Sequence, residues 1–122
     1  MANSFTVARS REGDISVLSL HGYLDAHTAP QFEKAVQEEY DAGRFRIIVN
    51  CVGLTYISSA GLGVFMSFIE DVREANGDIK ICSVSDTVYQ VFEILGFPSL
   101  FDILADQATA VQRFSEVPTK EN

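Results

Sequence analysis

Positive charge is scarce in this chain: nine Lys and Arg face 17 Asp and Glu, for a formal net charge of -8. That surplus repels phosphate backbones and anionic headgroups, so neither nucleic acid nor a membrane surface is expected as a partner. Histidine and cysteine are equally sparse. His21, His27, Cys51 and Cys82 do not have the spacing of a zinc site, and no metal is expected. Each cysteine lies near the end of a predicted strand, and two buried reduced thiols are expected rather than a disulfide. No apolar run approaches the roughly 18 to 20 residues that a bilayer-spanning helix needs. Met1 to Phe5 lacks a basic segment followed by an apolar block, so the expectation is a cytoplasmic protein without a secretory signal. Repeats, linkers and low-complexity tracts are also missing.

What remains is a well-stocked core. Of 122 residues, 47% are hydrophobic and 11% aromatic, enough for one globular domain, expected over residues 1–115 with a flexible tail at 116–122. Residues 4–9 and 15–21 alternate weakly about Glu12-Gly13-Asp14, which predicts a hairpin, with Gly22 ending its second strand. Thr28 with Gln31 fits a capping box, Pro30 suits a first helical turn, and Phe32, Ala35, Val36 and Tyr40 give one apolar face closed by Gly43. Phe45 to Cys51 reads as a strand covered on both faces. A helix follows from about Ser59 to Asn76, then a strand from Ile79 to Ser83. A third helix starts at Ser85-Asp86 and is closed by Gly96 and Pro98. A short strand over Leu100 to Leu104 leads to a last helix capped by Asp106. The order predicts an α/β domain: a mixed, mostly parallel sheet of about five strands with about four helices.

In such sheets working groups gather beyond the carboxyl ends of the strands. Two segments fall there: Gly22 to Thr28, and Tyr56-Ile57-Ser58-Ser59-Ala60-Gly61-Leu62-Gly63. Catalysis is poorly served. A nucleophile elbow requires glycine two residues either side of the serine, and position 57 is Ile. His21 or His27 with Asp25 would supply triad types without a fixed geometry. A phosphate loop requires a Lys after its glycines, and none follows Gly63. A serine at the mouth of a helix has two other uses. It can cap the helix, or it can carry a phosphate favoured by the dipole and by N–H groups such as those of Gly61 and Leu62. On the long helix, Leu62, Phe65, Met66, Ile69 and Val72 line one stripe, with Val64, Phe68 and Ala75 beside it, an apolar arc of roughly 200°. Either a neighbouring helix covers that width or a partner does.

The segment Tyr56 to Gly63, reached from Ile47-Ile48-Val49-Asn50, resembles the signature of STAS domains, and more narrowly that of bacterial anti-sigma factor antagonists. Leu20-His21-Gly22-Tyr23-Leu24-Asp25 followed by Thr28-Ala29 is similar to the family's second recognisable segment. The resemblance covers roughly residues 4–115. It implies a non-enzymatic regulator that switches partners. Unphosphorylated, such a protein binds an anti-sigma factor serine kinase and so frees a sigma factor. Phosphorylation at the turn releases the kinase, and a metal-dependent serine phosphatase resets the cycle. By motif position the acceptor is Ser59, with Ser58 as the alternative. Many antagonists carry Asp where this chain has Ser58, and Ser or Thr where it has Ala60. The docking surface implied is Gly22, Asp25, Thr28, Ser58, Ser59, Gly61, Leu62, Val64 and Phe68. ATP and magnesium would belong to the kinase, so the chain itself is assigned no cofactor, and it is expected as a monomer or weak dimer. Other readings are a phosphate-independent scaffold, an accessory subunit of a transport complex, or a small-ligand or nucleotide sensor.

Overall fold

The computed structural model describes residues 5–116. Ser4 and residues 117–122, assigned above to the first strand and the tail, lie outside the described residues. A hairpin opens the fold: β1 (Thr6–Glu12) and β2 (Ile15–Leu24) pair antiparallel from Glu12↔Ile15 to Thr6↔His21. Its two-residue turn begins at Gly13 with φ +63°, the first-position geometry that Gly-X hairpin turns require. Then come α1 (Ala29–Asp41), β3 (Arg46–Ile57), α2 (Ser59–Glu74), β4 (Asp78–Cys82), α3 (Asp86–Ile94), α4 (Phe97–Leu100), β5 (Ile103–Leu104) and α5 (Gln107–Ser115). The sheet runs β1-β2-β3-β4-β5, with every pair after the first parallel.

Strand alternation sorts the core into two layers. Leu18, Leu20, Ile47, Val49, Ile79 and Ile81 face α1, α2, α3 and α4, while Val17, Ile48 and Cys82 face Ala110 of α5. Phe65 of α2 is the hub of the larger layer. Its ring meets Phe32, Phe92, Phe97 and Phe101 edge-on, at centroid separations of 5.1 to 6.0 Å. Cys51 and Cys82 are buried and free, in different layers of the core, so strand adjacency does not bring them into a disulfide. Burial pushes both thiols up from their ordinary range, which keeps them unreactive.

Four expectations change. Gly22 does not end β2: at φ +97° it sits where the β2–β3 register shifts, and the strand resumes through Tyr23 and Leu24. β3 likewise runs past Cys51 to Ile57, because Leu54 and Ile57 return to the core and keep the extended chain profitable. Pro98 falls in the first turn of the short α4 rather than after α3, with Gly96 at φ +78° between the two helices. The last strand shrinks to Ile103–Leu104.

One buried carboxylate was not foreseen. Glu39 of α1 is 4% exposed, accepts a hydrogen bond from the Ser16 hydroxyl, and pairs with Arg9 at 2.6 Å. Burial alone would push its carboxyl up, but Ser16 and Arg9 outweigh that and hold it below its ordinary 4.5. A depressed carboxylate contributes stability above its unfolded value, and that stability is lost as pH falls through the folded value. Denaturant midpoints of the wild type should therefore fall below about pH 4.5 more steeply than those of Glu39→Gln. Parallel acid profiles would contradict the assignment.

Candidate functional site

The two strand-end segments meet. β2 and β3 project together beyond β4, whose pairing with β3 stops at Asn50↔Cys82, while β2 and β3 stay paired to Leu24↔Ile57. At the tip the Ser58 N–H donates to the Leu24 carbonyl at 2.9 Å. Gly61 makes the close approach possible: a Cβ there would lie 2.6 Å from Leu24 Cγ. The loop after β2 is thereby seated against the first turn of α2. Its shape is held from within. Asp25 Oδ1 accepts the N–H groups of His27 and Thr28, at 2.9 and 3.2 Å. Thr28 Oγ1 donates to the Tyr23 carbonyl and accepts the Asp25 N–H. That hydroxyl is therefore not a helix cap, and the capping box expected at Thr28 and Gln31 does not form. Thr55 ties the other side by donating to the Gly22 carbonyl at 3.2 Å.

The two serines differ sharply. Ser58 is the N-cap residue of α2 in extended backbone, yet its hydroxyl caps nothing: Oγ is buried and has no hydrogen-bond partner among the described residues. Ser59 is the first helical residue and is exposed. The Leu62 N–H already donates to the Ser58 carbonyl at 3.0 Å, so it is not free for a phosphate as expected above. The N–H groups of Ser59, Ala60 and Gly61 have no intrachain acceptor among the described residues and stand at the positive end of a 16-residue helix. No Lys or Arg occurs between Arg46 and Arg73, so neither the turn nor α2 before its last turn carries a cationic side chain.

Caps that do form provide a comparison. Ser85 accepts the Val88 N–H at 3.2 Å, and Asp106 accepts that of Thr109 at 2.8 Å. Ser85→Ala should cost about 1 kcal/mol of stability, whereas Ser58→Ala, which breaks no hydrogen bond, should leave the urea midpoint nearly unchanged. Equal losses would show that Ser58 caps α2 in solution.

Of the proposed contact residues, Gly22, Asp25 and Thr28 are partly exposed and Ser59 fully so. Gly61, Leu62, Val64 and Phe68 are buried, the last three in the core layer against α1 and the sheet, so their side chains are not offered to a partner. The wide apolar arc of α2 is thus covered by its own neighbours, with Met66 left out at 46% exposure. The sequence reasoning missed Tyr23 and Tyr56, a register pair on the projecting strands whose exposed rings lie 5.6 Å apart. Their neighbours Leu24 and Ile57 turn inward, and this alternation was the available signal.

A family model for the STAS domain matches residues 7–110. The proposed anti-sigma factor antagonist BtrV of Bordetella bronchiseptica is 32% identical over 98 residues, which cover 80% of this chain and 84% of BtrV. The anti-sigma-B factor antagonist of Staphylococcus aureus is 30% identical over 82 residues, 67% of this chain and 76% of that protein. Among solved structures, an anti-sigma factor antagonist from Mycobacterium paratuberculosis superposes with a TM-score of 0.86 at 18% identity, over 93% of this chain and 96% of the other. Unphosphorylated SpoIIAA does so with 0.77 at 22%, over 94% and 99%. At these identities the superpositions bear on the fold. The chain belongs to the STAS domain family. The resemblance read from the Ser58-Ser59 turn is borne out, and the relatives it matches are named for regulating sigma factors rather than for a reaction. Among the described residues no helix is long and apolar enough to cross a membrane.

Proposed function

We propose that this chain is an anti-sigma factor antagonist that works by partner switching. Unphosphorylated, it binds a kinase anti-sigma factor through the Ser59 turn and the Gly22, Asp25 and Thr28 loop. Phosphorylation of Ser59 dissolves that complex, and a metal-dependent serine phosphatase restores it. The observation that carries the reading is the contrast at the α2 mouth. The Ser59 hydroxyl is open to a kinase, while the Ser58 oxygen is buried.

The energetics support the same reading. A phosphate on Ser59 gains from the helix dipole and from free N–H groups, so the domain tolerates it. With no Lys or Arg from residue 47 to residue 72, its charge stays largely uncompensated on the surface. A partner seated there must bury a group of charge near -2, at a cost of several kcal/mol. SpoIIAA, a neighbour in fold, has been solved in phosphorylated as well as unphosphorylated form.

Incubation with the cognate kinase and ATP should retard the chain on a phosphate-affinity gel, and Ser59→Ala should abolish the shift. A shift that persists in Ser59→Ala but vanishes in Ser58→Ala would move the acceptor by one residue. No shift with an active kinase would remove phosphorylation from the account.

A further inference from the structure

A second surface lies farther along α2, away from the Ser59 turn. Met66, Ile69, Glu70, Arg73 and Glu74 line an open cavity of about 470 Å³. Met66, 46% exposed, makes its apolar floor, and Ile69, 8% exposed, shows only an edge three residues along the same stripe. Leu100 of α4 stands next to it: the Arg73 guanidinium donates to the Leu100 carbonyl at 2.5 Å, and Leu100 is itself 41% exposed.

Charge selects the occupant. Arg73 is the one cation of α2, and it is already committed, to Asp78 at 2.9 Å, to the Leu100 carbonyl and to the Phe101 ring at 5.7 Å. Glu70 and Glu74 lie four residues apart along the cavity, and neither takes part in an ion pair or a side-chain hydrogen bond among the described residues. Asp71 adds a third exposed carboxylate beside them. A second copy of the chain would bring the same carboxylates and a net charge of -8 against this face. An anionic surface would be repelled for the same reason.

We infer that this groove is a docking site for a cationic amphipathic helix of a partner protein. Its apolar stripe would lie on Met66 and Leu100, over the edge of Ile69, and its Lys or Arg residues would face Glu70 and Glu74. The stripe from Met66 to Arg73 spans two turns, the length over which one helix packs in the groove of another. The site is separate from Ser59, about 10 Å farther along the helix axis at Met66, and it requires no phosphate chemistry.

The test uses the whole chain and a synthetic helix of about 18 residues carrying a Leu stripe flanked by Lys, with a Glu-flanked version of the same stripe as comparison. Amide shifts in a ¹⁵N-labelled sample should change at Met66, Ile69, Glu70, Arg73, Glu74 and Leu100 when the Lys peptide is added. Glu70→Lys should weaken binding at least tenfold, and Met66→Ala several-fold. Glu33→Lys, the same charge change on α1, should stay within twofold of wild type. Shifts centred elsewhere, equal losses in Glu70→Lys and Glu33→Lys, or equally tight binding of the Glu peptide would overturn the assignment.

Discussion

On the proposed partner switch, Ser59→Asp should fold normally and lose binding to a kinase anti-sigma factor, with affinity reduced at least a hundredfold, about 2.7 kcal/mol. The two halves of that expectation rest on different features. Folding is safe because position 59 is the first residue of α2, exposed, where a carboxylate gains about 0.3–1 kcal/mol from the helix dipole. The melting temperature should hold or rise by a few degrees. Binding suffers because the same carboxylate would have to be desolvated under the partner, with no Lys or Arg of this chain between residues 47 and 72 to compensate it. Calorimetry and thermal denaturation on one preparation separate the two. A lowered melting temperature accompanying the lost affinity would assign the serine to stability instead of switching.

The largest stability effect is expected at the other end of the sheet, from Gly77→Ala. A Cβ at position 77 would lie 2.0 Å from the Phe45 carbonyl oxygen and 2.4 Å from Phe45 Cβ. These are main-chain and first-atom contacts, with no flexible tip to swing aside. The Phe45 carbonyl also accepts the Asp78 N–H at 2.8 Å, and Asp78 holds both Arg73 and Lys80. Relief of the clash must therefore disturb the first β3–β4 bond and the ion pairs beside it. We expect a loss of about 3 kcal/mol or more, read as a fall of roughly 10 °C or more in melting temperature. Gly63→Ala is the contrast: exposed, helical and with nothing within 4 Å of the added methyl, it should stabilise by about 0.5–1 kcal/mol. A Gly77→Ala protein as stable as wild type would mean that the α2–β4 turn is far looser than its contacts indicate.

How much of this could be read from the residues alone differed by element. Local chemistry announced the ends of α3 and α5, because Ser85 and Asp106 cap through their own side chains. Gly13 and Gly43 marked turns for a similarly local reason, a positive φ. Most of the failures have a tertiary cause. β2 and β3 outran their apolar runs because Leu24, Leu54 and Ile57 join the same buried core, Leu24 against Gly61 of a helix 37 residues on. Thr28 looked like a cap, but it is claimed by the Tyr23 carbonyl five residues back. Val64 and Phe68, on the docking surface that the resemblance implies, are buried in the core: helical spacing reports how wide an apolar arc is but not what covers it. The site itself was legible at its hydroxyls. Its depth was not: that Ser58 points inward and Ser59 outward follows from the pairing of Ser58 with Leu24 and the burial of Gly61 on that leucine.

The most direct test is a calorimetric titration of the kinase anti-sigma factor with this chain, unmodified and then stoichiometrically phosphorylated on Ser59, in the same buffer. The account predicts tight saturable binding for the first and at least a hundredfold weaker binding for the second, with both forms melting alike. Equal affinity for the two forms would contradict it.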